Sequence, residues 1–272
     1  VSAAGGTLHL VPVPISPRDQ WQDSAPADIL GGLAPATLAV ARRTQYFLAE
    51  NARSARAFLK AIGHPAAIAS LDIVEIGHAP DPAQIDGWLD PLDPRDSSVA
   101  VDAVVLAEAG CPGIADPGAS VVARAHARGI TVMPWVGPSS ILLALMGAGM
   151  NGQSFRFLGY LPQDRGALQE RLQTVQRDAQ RGETQVFIET PYRNVRLLQT
   201  LLQTCDGALQ LCVAVDLTAA GQIIATHSIA QWKALGPGRW PALDRRTAVF
   251  LLCASTVAAG SPPAKVPAPR RR

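Results

Sequence analysis

Apolar residues along the chain fall in short runs broken by glycine and proline, and runs of strand character alternate with stretches of helical spacing. "GTLHLVPVP" predicts a strand from Thr7 to about Val13, ended by its prolines. Residues 14–28 read as a polar, proline-containing loop, Ala34–Arg43 as a helix, and "QYFLAE" as a second strand ending at Glu50. In "NARSARAFLKAIG", Ala55, Phe58, Leu59 and Ile62 line one helical face, Asn51 is placed to cap it, and Gly63 stops it. A weaker strand, "ASLDIVEI", a short helix around Ala83–Leu89 and a loop rich in Asp, Pro and Ser follow.

"VDAVVLAEAG" is nearly all apolar from Ala103 to Ala107, as expected of a parallel strand covered on both faces. A helix entered through Pro117 and the strand "ITVMPWV" come next, so Val101–Val136 reads strand, Gly/Pro loop, helix, strand. That order predicts a right-handed crossover and an α/β fold. After the helix "PSSILLALMGAG", the alternation continues less regularly: "SFRFLGYL" and "TQVFIET" flank a helix over 166–180, and "PYRNVRLLQTLLQTC" predicts a helix with Pro191 in its first turn. "LQLCVAVDLT", "GQIIATH" and "TAVFLLCAS" predict strands with a short helix at 228–234 between the last two, hence a mixed sheet. The expected organisation is an α/β domain over 1–136, a second with a mixed sheet over 137–258, and a Pro-rich basic tail over 259–272 too poor in apolar area to fold.

At 272 residues and 48% hydrophobic, the chain can bury one large core or two modest ones. Its apolar runs, such as Ile141–Met146, are too short to span a membrane, and nothing at its start reads as a signal peptide. Cys111, Cys205, Cys212 and Cys253 are irregularly spaced, which predicts reduced core cysteines and a cytoplasmic protein. The five histidines show no ligand spacing, so no metal is expected. A net charge of +2 without a long basic stripe weakens the case for generic nucleic-acid binding.

Three loops follow predicted strands, where open α/β sheets bind ligands: "VPVPISPRDQ", "AEAGCPGIADPG" and "WVGPSSI". In the second, Gly110, Gly113 and Gly118 suit positive φ and a close backbone approach to a ligand. Glu108 and Asp116 add negative charge, favourable beside a cation and wrong for a pyrophosphate; this loop is not GxGxxG, and the chain holds no P-loop motif. Ser139 and Ser140 begin a helix and serve equally as caps or as ligand contacts. Tyr192 and Arg193 begin another helix, as a cleft wall or as plain surface residues. No GxSxG motif or triad spacing supports nucleophilic hydrolysis.

These segments, in this order, resemble the tetrapyrrole methylase superfamily, and within it the subgroup that 2′-O-methylates cytidine in small-subunit ribosomal RNA. The similarity covers roughly residues 5–255 and is densest in "AEAGCPGIADPGASVVARAHARGITVMPWVGPSS", with further matches in "FRFLGYLPQDRGALQERL" and "TQVFIETPYRNVRLLQTL". The resemblance implies two α/β domains with S-adenosylmethionine in the cleft between them, and a homodimer. By position it implies cofactor contacts from Pro14, Glu108, Gly110, Pro112, Ile114, Ser139 and Ser140, with later contacts near Tyr160 and Leu217. Glu50, Arg53 and Tyr192 are the candidate catalytic residues.

The implied reaction is direct transfer of a sulfonium methyl group, which depends chiefly on placing two reactants. A ribose hydroxyl would also need a base. The chain departs from the subgroup in charged positions: "ISPRDQ" stands for Ile-Gly-Asn-Leu-x-Asp, "ENAR" for Glu-Asp-Thr-Arg, "VDLTA" for Arg-Glu-Leu-Thr-Lys, and Gln222 for a glutamate. Where the subgroup carries a small helical extension, the last expected strand, "TAVFLLCAS", reads into a Pro-rich segment. The acceptor thus stays open between ribosomal RNA and a tetrapyrrole or other small molecule, beside a cofactor-binding interaction protein without catalysis.

Overall fold

The computed structural model describes residues 5–15, 31–93, 95 and 100–255. The expected unfolded tail at 259–272 and most of the first loop lie outside the described residues. The chain divides into two compact units, Val1–Leu143 with Asp216–Gln222, and Ala144–Val215 with Ile223–Arg272.

The first unit is built on a five-stranded sheet of β1 (Thr7–Val11), β2 (Tyr46–Ala49), β3 (Asp72–Glu75), β4 (Ala103–Leu106) and β5 (Thr131–Pro134). Their order is β3-β2-β4-β1-β5, and every pairing is parallel. The helices are α1 (Pro35–Arg43), α2 (Ala52–Ala61), α3 (Pro82–Leu89), α4 (Gly118–Ala127) and the start of α5 (Ser140–Ala148).

Strand alternation explains why β2 and β4 read as unbroken apolar runs. Phe47, Ala49, Val104 and Leu106 face one core with Phe58 and Leu59 of α2. Tyr46, Leu48, Ala103 and Val105 face another with Ile85, Leu89, Val121 and Ala125 of α3 and α4. Both faces are covered, so polar residues have no place on either. The expected crossover is present as β4–α4–β5, with β1 lying between the two strands.

Helix α2 forms as its sequence predicts. The Asn51 side chain accepts a hydrogen bond from Ser54 N at 3.0 Å. Ala55, Phe58, Leu59 and Ile62 are all buried, and Gly63 takes φ +67° beyond the end. Asn51, where the resembled subgroup has a carboxylate, therefore keeps a capping role.

The second unit has β6 (Phe155–Tyr160), β7 (Thr184–Ile188), β8 (Gln210–Val215), β9 (Ile223–Ser228) and β10 (Ala248–Cys253), in the order β6-β7-β10-β8-β9. Only β6 and β7 pair in parallel; β7–β10, β10–β8 and β8–β9 are antiparallel, which is the expected mixed sheet. Helices α6 (Arg165–Gln180), α7 (Asn194–Thr204) and α8 (Ile229–Leu235) complete it. Its core holds stacked Phe187 and Phe250, 6.0 Å between centroids, and Trp232, whose Nε1 donates to Leu211 O at 2.8 Å.

Two sequence expectations need correction. The helix expected from Pro191 begins at Asn194, because Pro191–Arg193 form a 3₁₀ turn closed by Arg193 N donating to Thr190 O. Gly118 does not take positive φ. It starts α4, and a Cβ there would stand 3.0 Å from Gly113 N, so close packing explains it instead.

Cys205, Cys212 and Cys253 are buried and unbridged, as expected. Burial pushes the Cys205 thiol up to about 12 and Cys212 up to about 11. Among the described residues, no helix is long and apolar enough to cross a membrane.

Candidate active site at the edge of the parallel sheet

All five strands of the first unit run the same way, so the loops after β1, β4 and β5 emerge at one edge, and specific contacts tie them together. Val13 N donates to Gly110 O at 2.9 Å and Gly110 N returns a bond to Val13 O at 3.1 Å. Cys111 Sγ lies 3.4 Å from Pro138 O. A Cβ on Gly137 would stand 2.3 Å from Pro12 Cβ, so the third loop packs on the first at a distance only glycine permits.

The middle loop is a chain of tight turns. Gly110 and Gly113 take φ +74° and +80°, and Ala115 takes +58° without being glycine. That strain is held by Asp116, whose Oδ1 accepts from Gly118 N at 2.8 Å and Gly113 N at 3.3 Å. Its Oδ2 is buried with no hydrogen-bond partner among the described residues. Ile114 and Val136 expose their side chains to solvent on the second and third loops, 52% and 73% accessible.

Beside these loops lies a group of acids around one imidazole. Glu50 follows β2; its Oε2 accepts from Glu108 N at 2.8 Å, and its Oε1 is 2.7 Å from His78 Nδ1. Ser54 Oγ donates to Glu108 Oε1 at 2.9 Å. The ligand-capable atoms of Glu50, His78 and Glu108 lie within 4.8 Å of one another. Burial pushes the Glu50 carboxyl above the ordinary glutamate value; the Glu108 amide opposes this, the Asp116 charge adds to it, and His78 opposes it. The His78 ring is largely exposed. A carboxylate holding one nitrogen of an exposed imidazole is an arrangement suited to accepting a proton.

The first unit brings together Glu50, Glu108, Gly110, Pro112 and Ile114 with Pro14 and the Ser139–Ser140 turn. Pro14, Gly110 and Pro112 are buried, and Glu108, Ser139 and Ser140 are half-buried. Ser139 Oγ lies 3.5 Å from Leu142 N, a weak cap for α5. Arg53 is exposed in the first turn of α2. Leu217 belongs to the same unit and is buried between Asp216 and Thr218, both in the left-handed region at φ +43° and +69°. Tyr160 and Tyr192 belong to the second unit, at the ends of β6 and β7, and both are exposed.

Sequence reasoning missed His78 and Ser54. His78 stood isolated in the chain, yet it lies just beyond β3, whose pairing with β2 brings it to Glu50. The rule that picked the loops after β1, β4 and β5 applies equally after β3.

No family model matches the chain. A ribosomal RNA small subunit methyltransferase I from Xylella fastidiosa is 30% identical over 229 residues, 83% of this chain and 73% of that protein. The chain belongs to that family. Namesakes from Vibrio cholerae and Pseudomonas aeruginosa are 31% and 32% identical over 127 and 130 residues, 47% and 48% of this chain. The matched span is 43% and 45% of those two proteins, less than half their length.

Among solved structures, the methyltransferase CobJ superposes with a TM-score of 0.57 at 16% identity, covering 94% of this chain and 97% of that one. A conserved hypothetical protein from Aeropyrum pernix K1 gives 0.59 at 14% identity, covering 93% and 86%. These two likenesses show the fold alone. Members of the tetrapyrrole methylase superfamily, which the sequence resembles, are S-adenosylmethionine-dependent methyltransferases.

The residues of the parallel edge fit that cofactor. Gly110 leaves little room for a side chain, since a Cβ would stand 3.3 Å from Ile15 Cγ2 and 3.5 Å from Pro138 O, and its left-handed backbone shapes the loop. The unpaired Asp116 oxygen and Glu108 favour a cation, and Ile114 and Val136 offer apolar surface.

Proposed function

We propose that the protein is an S-adenosylmethionine-dependent methyltransferase whose acceptor is a ribose 2′-hydroxyl of small-subunit ribosomal RNA. The observation that carries this reading is the joining of three strand-end loops around Gly110, next to the hydrogen-bonded group of Glu50, His78 and Glu108. The relative from Xylella fastidiosa supports the acceptor.

Gly110, Pro112, Ile114 and the Ser139–Ser140 turn hold the cofactor, which supplies an electrophilic methyl group on a sulfonium centre. Glu108 and Asp116 set a negative field there, so a cationic ligand gains and a phosphate loses. The strained Asp116 turn keeps the loop shape fixed before anything binds, and most of the rate enhancement comes from such placement. The acceptor hydroxyl must give up a proton. His78 takes it: Glu50 fixes the ring through Nδ1 and steadies the imidazolium that results.

The test is incubation with methyl-labelled cofactor and purified small ribosomal subunits. The reading expects label in RNA at a 2′-O-methyl nucleoside. Saturable cofactor binding without label in RNA would overturn the acceptor.

A further inference from the structure

Outside the parallel edge, the second unit holds a cavity of about 320 Å³ where α6 and α7 meet the ends of β6 and β7. Arg165, Arg193 and Arg196 line it together with Gln169, Thr200 and Gln203. These arginines are scattered in sequence, which is why the chain shows no basic stripe; the fold gathers them. Glu189, whose side chain is only 6% exposed, pairs with Arg193 and neutralises it. The guanidinium groups of Arg165 and Arg196 make no hydrogen bond or ion pair among the described residues, and both residues are exposed. The pocket therefore keeps two guanidinium groups without an ion-pair partner, with the Gln169 and Gln203 amides beside them, while the Thr200 hydroxyl donates to Arg196 O at 2.9 Å.

Two aromatic side chains border this region in sequence. Tyr192 directly precedes Arg193 and is 77% exposed; Tyr160 ends β6, two residues before the lining residue Pro162, and is 60% exposed. Planar guanidinium groups match phosphate oxygens in pairs, and an exposed ring offers a face on which an unstacked base can lie. Guanidinium groups beside free aromatic faces are the means by which proteins grip single-stranded nucleic acid.

We infer that this pocket between α6 and α7 binds backbone phosphates of a single-stranded RNA segment, with Tyr192 and Tyr160 stacking on its bases. The inference rests on the ribosomal RNA reading and names the surface that would hold that substrate. Arg165 and Arg196 make the phosphate contacts, and Arg193, held by Glu189, fixes the pocket wall.

The test compares the intact chain with Arg165→Ala/Arg196→Ala and with a charge-matched control, Arg177→Ala/Arg239→Ala, taken from exposed positions of the same unit outside the cavity. Binding of a short fluorescent single-stranded RNA is followed by anisotropy across a salt series. The pocket variant is expected to bind about tenfold more weakly, and its log–log salt slope to fall by about 1.4, roughly 0.7 for each lost phosphate contact. The control is expected to bind as the parent does, and S-adenosylmethionine affinity to stay unchanged in all three. Equal loss in both variants, no loss in the pocket variant, or no RNA binding by the parent would overturn the inference. Methyl transfer to small ribosomal subunits separates the two readings. If the parent labels RNA and the pocket variant does so equally well, the pocket assignment fails alone; if the parent labels none, the acceptor fails and takes the pocket's ligand with it.

Discussion

At the ends of β2 and β4 the first unit presents Glu50 and Glu108 around a single imidazole, with Asp116 in the loop after β4. At the ends of β6 and β7 the second presents Arg165, Arg193 and Arg196 beside two exposed tyrosines. Both sites follow from parallel strand pairs, which deliver loop residues to one edge. They differ in what the backbone does there. The first edge uses left-handed glycines and a left-handed alanine to fold its loop into tight turns. The second uses helix starts to project long cationic side chains. A net charge of +2 conceals this segregation, because opposite charges gathered in separate places cancel in the sum while each sets its own local potential.

Substitutions can break either side of the comparison. The largest effect is expected from Gly110→Val, which demands positive φ of a β-branched residue and puts a side chain against Ile15 and Pro138. S-adenosylmethionine affinity should fall by about a hundredfold or more in calorimetric titration, with RNA affinity unchanged. Next, His78→Ala should lower methyl transfer about a hundredfold, the usual worth of a positioned base, with cofactor affinity kept within about twofold. Single-turnover labelling separates the two quantities.

Tyr192→Ala should weaken RNA binding about fivefold, at the low end of base stacking, and leave cofactor titration untouched. The smallest effect concerns pH. Burial raises the Glu50 carboxyl in the folded state, so folding favours its proton. The stability tied to that proton is full below the unfolded carboxyl's value and is lost as pH rises through the folded one. Glu50→Gln should therefore lose less thermal stability than the parent as pH rises through and above the ordinary glutamate range. Melting curves in a pH series check this, and parallel curves for the two proteins would contradict it.

Local structure was largely legible in the chain. Helix α2 announced its cap, its face and its stop at Asn51, Ala55 to Ile62 and Gly63, because each depends on near neighbours. The crossover from β4 to β5 and the loop at Glu108–Gly118 were legible for the same reason. The Glu50–His78 contact was not, since it joins residues 28 apart through the register of two parallel strands, which no turn signals. The arginine pocket was hidden likewise, its members lying on two helices whose packing is a tertiary matter. Gly118 was misjudged because a glycine needed for close approach looks, in sequence, like one needed for left-handed backbone.

The acidic, glycine-lined edge of the parallel sheet is the proposed seat of S-adenosylmethionine. Calorimetric titration of the parent protein and Gly110→Val with that cofactor tests it most directly, alongside melting curves showing that both are folded. Saturable binding near one site per chain is expected for the parent and none measurable for the variant. Equal affinity in two folded proteins, or no binding by the parent, would contradict it.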